Sequence, residues 1–273
     1  MNRIANCFSK LKQQNRGAFI PYVESGDPDY QTALEILKQM PSAGADLIEI
    51  GMPFSDAMAD GPIVQQAASR ALKAGATMKN IFRMVSEFRT ENTHTPIILM
   101  GYANPIEHYG YENFCQKAAK TGVDGLIVVD IPYEEMDNIR PYAKQNQIDL
   151  IQLVTPNTPQ KRLERILKEA SGFIYYVSIT GVTGTKTASH DELTKIIPTI
   201  RSISSLPIVV GFGIKTPEAV TNAVTVADGA VVASALLSTL ASSLDKNNQA
   251  TPHTVKKVIE HTSFLANAAH LML

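Results

Sequence analysis

At 273 residues, with 44% hydrophobic and 19% charged side chains, the chain has the make-up of a folded globular protein, and its length suits one α/β barrel that fills a single domain from 1 to 273. Its 25 Lys and Arg nearly balance 26 Asp and Glu, and no basic run appears, which argues against a nucleic-acid surface. The longest apolar runs fall far short of the roughly 20 residues of a bilayer span, and Cys7 and Cys115 lie in no metal or CxxC spacing, as expected of free thiols in a reducing cytoplasm.

The chain opens with "MNRIANCFSKLKQQNRG". Ile4, Phe8 and Leu11 recur at helical spacing among Lys, Arg and Gln, with no apolar h-region or cleavage site. An amphipathic helix is expected there rather than a signal peptide. Eight short β-rich runs follow, at 17–23, 46–51, 96–102, 125–131, 148–155, 173–178, 207–213 and 229–234. Helical patterns fill the gaps at 29–43, 62–90 with a break near Gly75, 111–121, 134–146, 159–170, 190–203 and 217–227, and a last one spans 254–270. Thr158 before Pro159, and Thr216 before Pro217, read as N-caps followed by proline in the first turn. Strict strand–helix alternation, with strands apolar on both faces, predicts a parallel sheet covered by helices. Eight repeats fit a closed (β/α)8 TIM barrel better than an open sheet. No GxGxxG follows the first run, where "VESGDPDY" stands, so a dinucleotide site is not supported.

In such a barrel the chemistry sits at the C-terminal ends of the strands. Those ends here hold Tyr22 and Glu24, Glu49 to Asp60, Met100 to Asn104, Asp130, Thr155, Tyr175 to Gly184, Gly211 to Gly213, and Ala233 with Ser234. Strand alternation puts Leu47 and Glu49 on one face and Ile48 and Ile50 on the other; if the isoleucines meet the helices, Glu49 points into the barrel. Desolvation there would raise its pKa toward neutrality and suit it to acid–base work. The same position equally suits a structural glutamate bonded to a backbone group or an arginine. The loop "GMPFSDAMADGP" is long for a strand-to-helix connection, a functional sign on this face, but spacing alone does not choose between Asp56 and Asp60.

Toward the C-terminus, "GFG" at 211–213 and the short helical piece "ASALLSTLASS" after the eighth run have the layout of a barrel phosphate site, with backbone N–H groups offered to an anion. "SITGVTGTKTASH" (178–190) reads as a loop that closes over a ligand or as a plain surface loop. No lysine ends a strand, which disfavours a Schiff-base aldolase, and the six histidines show no ligand spacing, which disfavours zinc. Carboxylate acid–base chemistry on a phosphorylated small molecule is the remaining reading.

In this order "PYVESGDP", "IEIGMPFSDAMADGP", "LMGYANP", "VVDIP", "GVTG" and "GFGI" closely resemble the tryptophan synthase alpha subunit, nearly end to end. The resemblance implies a TIM barrel with an extra N-terminal helix under its floor and a short extra helix after the eighth strand. It implies retro-aldol cleavage of indole-3-glycerol phosphate to indole and glyceraldehyde 3-phosphate, without metal or cofactor. By similarity Glu49 is the acid–base residue and Asp60 the carboxylate that pairs with the indole N–H. Tyr175 lies near the substrate, and Thr183 meets Asp60 on closure. Gly184, Gly213, Ala233 and Ser234 would hold the phosphate, and Tyr22, Met100, Ile127, Leu153 and Phe212 would wall the indole pocket. A beta subunit carrying pyridoxal phosphate would receive the indole in an α2β2 complex, with Pro53, Asp56 and Asn104 at the contact. A stand-alone indole producer, and an activating module of the beta subunit with weak chemistry of its own, are the alternatives.

Three residues depart from the family's usual pattern: Ala233 for glycine, Ala57 for proline after Asp56, and Tyr22 for phenylalanine. The expected consequences are crowding of the phosphate, a looser loop, and a hydroxyl that needs a partner.

Overall fold

A computed structural model describes residues 2–178 and 190–270. Among these residues nine strands run parallel in one sheet: β1 (Ala18–Glu24), β2 (Ile48–Gly51), β3 (Ile97–Gly101), β4 (Gly125–Val128), β5 (Asp149–Leu150), β6 (Gln152–Val154), β7 (Ile174–Val177), β8 (Ile208–Gly211) and β9 (Gly229–Val232). Their spatial order is β5-β4-β3-β2-β1-β9-β8-β7-β6. The two ends of that order, β5 and β6, are neighbours in the chain with only Ile151 between them, so the sheet closes on itself as a TIM barrel.

The eight expected strands are all present, and the extra one arises because the fifth run is split. On one side Asp149 N and Ile151 N donate to Asp124 O and Leu126 O, but Leu150 N donates to the Ser171 hydroxyl at 3.0 Å. A side chain has replaced a sheet carbonyl on that edge, and the ladder breaks there.

Side-chain alternation sorts the strands as expected. Ile48 and Ile50 pack outward with Phe82, Val85 and Phe88 of the surrounding helices, whereas Leu47 joins Ile98, Ile127 and Val209 in the barrel interior. The first helix, α1 (Arg3–Gln13), sends Ile4, Phe8 and Leu11 into that same interior cluster. Phe8 meets Phe173 at 5.8 Å between ring centroids. This helix closes the barrel floor, held by Arg3 on Asp124 at 2.8 Å.

Around the sheet run α2 (Tyr30–Gln39), α3 (Pro62–Lys73), α4 (Met78–Arg89), α5 (Ala103–Tyr109), α6 (Tyr111–Thr121), α7 (Arg140–Gln145), α8 (Gln160–Glu169), α9 (His190–Ile203), α10 (Pro217–Val224), α11 (Ser234–Ser243) and α12 (Thr254–Ala269). The break at Gly75 is real: its φ of 86° is left-handed, and Thr77 then caps α4 by accepting from Asn80 N. Thr216 caps α10 as expected. Thr158 does not cap α8. Its hydroxyl accepts from Thr155 N at 3.0 Å, bracing the preceding turn, and α8 starts after Pro159. The 134–146 pattern begins as a 3-10 turn, Tyr133–Asn138, before α7. Helix α5 was not anticipated. Its first N–H, that of Ala103, is met by Asp130 from the end of the next strand at 2.8 Å, a cap remote in sequence.

Candidate active site

Glu49 lies on β2 between Tyr22 of β1 and Ile98 of β3 in the ladder register. It is fully buried, and among the described residues neither carboxylate oxygen has a hydrogen-bond partner. Burial alone pushes its pKa up to about 8. A carboxyl without donors in an apolar enclosure holds its proton at neutral pH and can also take one back, which is what a general acid–base group needs. The structural alternative, a partner arginine or backbone group, is therefore not what the geometry shows among the described residues.

The loop after β2 returns Asp60 to the barrel mouth. Tyr102, just beyond β3, donates its hydroxyl to Asp60 Oδ2 at 2.9 Å and accepts from Ala59 N at 3.0 Å. Burial raises the Asp60 pKa and the Tyr102 bond opposes it. Gln65 at the start of α3 donates to the carbonyls of Ala57 and Asp60, at 3.0 and 2.9 Å, fastening both ends of the turn. Those bonds and the burial of Ala57 supply order that a proline ring would otherwise impose. Asp56 instead is exposed and accepts from the Ser55 hydroxyl, so the geometry separates the two aspartates that spacing could not.

Tyr22, Met100, Ile127 and Tyr175 are buried in the interior cluster, with Leu153 and Phe212 partly buried beside them. Tyr175 stands edge-on to Phe212 at 6.2 Å, and its pKa is driven well up by burial and by the carboxylates of Glu49 and Asp60. A Cβ on Gly211 would lie 2.2 Å from the Tyr175 hydroxyl, so that glycine makes room for the phenol rather than for a ligand. Phe212 and Gly213 both take left-handed φ, 72° and 78°, and Ser178 donates to the carbonyls of Gly211 and Phe212 at 2.8 Å each. The unusual φ at Phe212 is thus braced from the neighbouring strand end.

Across the mouth, Ala233 precedes α11 with φ −112°, which alanine adopts as readily as glycine, so its methyl carries no backbone strain. Ser234 opens the helix, and no side chain among the described residues caps that end. This start and the turn at Gly213 lie at the strand ends where the sequence reading expects an anion site. Thr183 and Gly184 lie outside the described residues. Pro53 and Asp56, in the loop after β2, are half-buried and exposed, and Asn104 in the first turn of α5 is exposed; Met58, also in the loop after β2, is 84% exposed.

Two groups escaped the sequence reading. Tyr102 was only one of several strand-end residues, and nothing local reveals that its hydroxyl bridges Ala59 and Asp60. Glu24 was noted at a strand end but not as buried; it is 3% exposed, accepts from the Tyr22 hydroxyl at 2.6 Å, and burial pushes it up to about 8. That bond gives the hydroxyl of Tyr22 the partner it requires.

A closed parallel barrel with a shielded carboxyl on a strand and a second carboxylate on a mouth loop is the architecture of a barrel enzyme with its site at the strand ends. Residues 8–268 match the family model described as tryptophan synthase alpha chain. The chain is 56% identical to the tryptophan synthase alpha chain of Gluconacetobacter diazotrophicus, covering 98% of each, and 54% identical to that of Gluconobacter oxydans, covering 98% of this chain and 99% of that one. The crystal structure of tryptophan synthase subunit alpha from Legionella pneumophila superposes with a TM-score of 0.89 at 36% identity over 98% of both chains. The chain belongs to the tryptophan synthase alpha chain family, lyases that cleave indole-3-glycerol phosphate.

Proposed function

We propose that Glu49 and Asp60 divide the retro-aldol reaction between them. Glu49, protonated at neutral pH, delivers its proton to ring carbon C3 of the bound indole-3-glycerol phosphate. The ring becomes an indolenine cation, and Asp60 accepts the hydrogen bond of its N–H and offsets the charge. The carbon–carbon bond to the glycerol side chain then breaks, and its electron pair returns to the ring. The hydroxyl on the departing carbon becomes the aldehyde carbonyl, and its proton goes back to Glu49. Protons and electrons balance, and no metal or cofactor takes part. The observation that carries this reading is Glu49 itself, buried, without a donor among the described residues, and raised to about 8.

Gly213, Ala233 and Ser234, with Gly184, hold the phosphate, and Tyr22, Met100, Ile127, Leu153, Tyr175 and Phe212 wall the ring. Thr183 meets Asp60 when the 178–190 loop closes. A small cavity bounded by Tyr22, Glu24, Phe54, Asp60 and Tyr102 lies beneath the loop after β2.

The indole passes to a beta subunit that carries pyridoxal phosphate, within an α2β2 complex whose contact includes Pro53, Asp56 and Asn104. The alpha-chain names of the relatives and the exposed mouth-side Met58 support this. The two cysteines, neither in a disulfide, suit a cytoplasmic setting. The test is indole release from indole-3-glycerol phosphate by the purified chain, alone and with a matching beta subunit. Slow release that the partner accelerates is expected. Fast release alone would indicate a free lyase, and none under either condition an activating module.

A further inference from the structure

Tyr22 and Glu49 are register partners across the β1–β2 ladder, so their side chains leave the sheet on the same face, and both are buried. Adjacent strands hold such pairs about 5 Å apart, and a phenol is long enough to cover that gap with its hydroxyl. Yet the hydroxyl is spent elsewhere. It donates to Glu24, two residues up the same strand, at 2.6 Å. The ring therefore leans toward the mouth over Gly51: a Cβ built there would lie 1.9 Å from the Tyr22 hydroxyl and 2.5 Å from Glu24 Oε2. Tyr22, Glu24 and Gly51 thus fit together as one unit in which the glycine leaves the space that the bond occupies.

We propose that Glu24 is a positioning residue for the cleavage reaction, which by holding the Tyr22 hydroxyl keeps it off Glu49. This rests on the role given to Glu49 above. A hydroxyl donating to Glu49 would stabilise its charged form and draw its pKa down, so the acid would surrender its proton before substrate arrived. Phenylalanine, the residue that the family resemblance leads one to expect at this place, has no hydroxyl to restrain; tyrosine here creates the need, and Glu24 meets it.

The groups around Glu49 make the assignment specific. Ile98 on β3 is apolar; Tyr22 on β1 and Tyr175 on β7 both feel its charge, and Asp60 from the loop acts on the same two phenols. Tyr175 points its hydroxyl against Gly211 instead. Glu24 in turn faces Tyr22, Asp60 and the Asp27–Arg70 ion pair, and burial keeps it neutral around pH 7, so that it accepts the phenol without adding a third negative charge.

The test compares the high-pH limb of kcat/KM in the wild type, Glu24→Leu, Glu24→Gln and Glu24→Leu/Tyr22→Phe, with the Glu49 carboxyl followed by 13C NMR titration in each. Glu24→Leu is expected to move the limb and the NMR titration of Glu49 to lower pH together, by about one unit. Glu24→Gln, which keeps an acceptor oxygen, and the double variant, which has no hydroxyl to misplace, return both toward the wild-type position. A purely structural Glu24 would not be rescued by removing a hydroxyl. If Glu24→Leu folds with Glu49 titrating as in the wild type, or if Tyr22→Phe fails to reverse the shift, the proposal is wrong. Should Glu24→Leu not fold, Glu24→Ala takes its place on the same criteria. Because the NMR readout needs no turnover, a wild type that releases no indole would sink the assigned reaction while leaving the control of Glu49 by Glu24 to be judged on its own.

Discussion

Glu49 and Glu24 are two glutamates raised to about 8 by burial in one barrel mouth, and only one of them is left without a bond among the described residues. On the roles proposed above, that difference separates the acid–base group from the positioning group. Glu49→Gln is expected to lower kcat by at least about 100-fold with the fold unchanged; turnover near wild type would refute its role. Tyr102→Phe removes the donor that holds the Asp60 pKa down. With Asp60 acting as a carboxylate, as proposed, the low-pH limb of kcat/KM should move to higher pH, and an unmoved limb would show that the bond is incidental. The inward placement of Glu49 was legible in the alternation of "DLIEIG", whereas its acid–base role and the choice of Asp60 over Asp56 needed the resemblance, and the Tyr22–Glu24 bond needed the three-dimensional structure. Two residues apart on a strand, those side chains share a face, but only the glycine on the adjacent strand shows that they can touch.

At the scale of elements, the strands and most helices followed from apolar runs and period, because both faces of a parallel strand are covered and each helix buries one stripe. What the pattern missed depends on contacts distant in the chain. Helix α5 relies on Asp130 for its cap, and the fifth strand breaks because Ser171 intervenes. Helix α1 is the element whose burial is most easily tested. Phe8 is 7% exposed and packs on Phe173 inside the barrel, so Phe8→Ala should cost about 3 to 5 kcal/mol in denaturant unfolding. A loss below about 1 kcal/mol would mean that the floor helix is only loosely seated.

For the whole molecule, stability should depend on pH in a direction set by the buried glutamates. Glu24 and Glu49 shift from 4.5 to about 8, so the folded chain keeps protons that the unfolded chain has released. Their neutral-form contribution is complete below about 4.5 and is lost as pH rises through 8. Unfolding free energy should therefore fall between pH 5 and 8 by an amount on the order of a few kcal/mol, and the Glu24→Gln variant should show a shallower fall. A flat profile would place both of these carboxyls in contact with water. A second global test is Asp124, which receives Arg3 from α1, Arg89 from α4 and the N–H of Ile97 on β3. Asp124→Ala strands two cations, Arg89 largely buried, and should cost about 3 to 5 kcal/mol.

The split fifth strand has a consequence for how the protein meets other molecules. The two ends of the sheet are consecutive pieces of one strand, and Ser171 already occupies the N–H of Leu150 where the ladder lapses. Among the described residues a foreign strand therefore finds no open sheet edge to extend, the template on which cross-β aggregation grows. That leaves the loops and helices as the surfaces a partner of this barrel would meet.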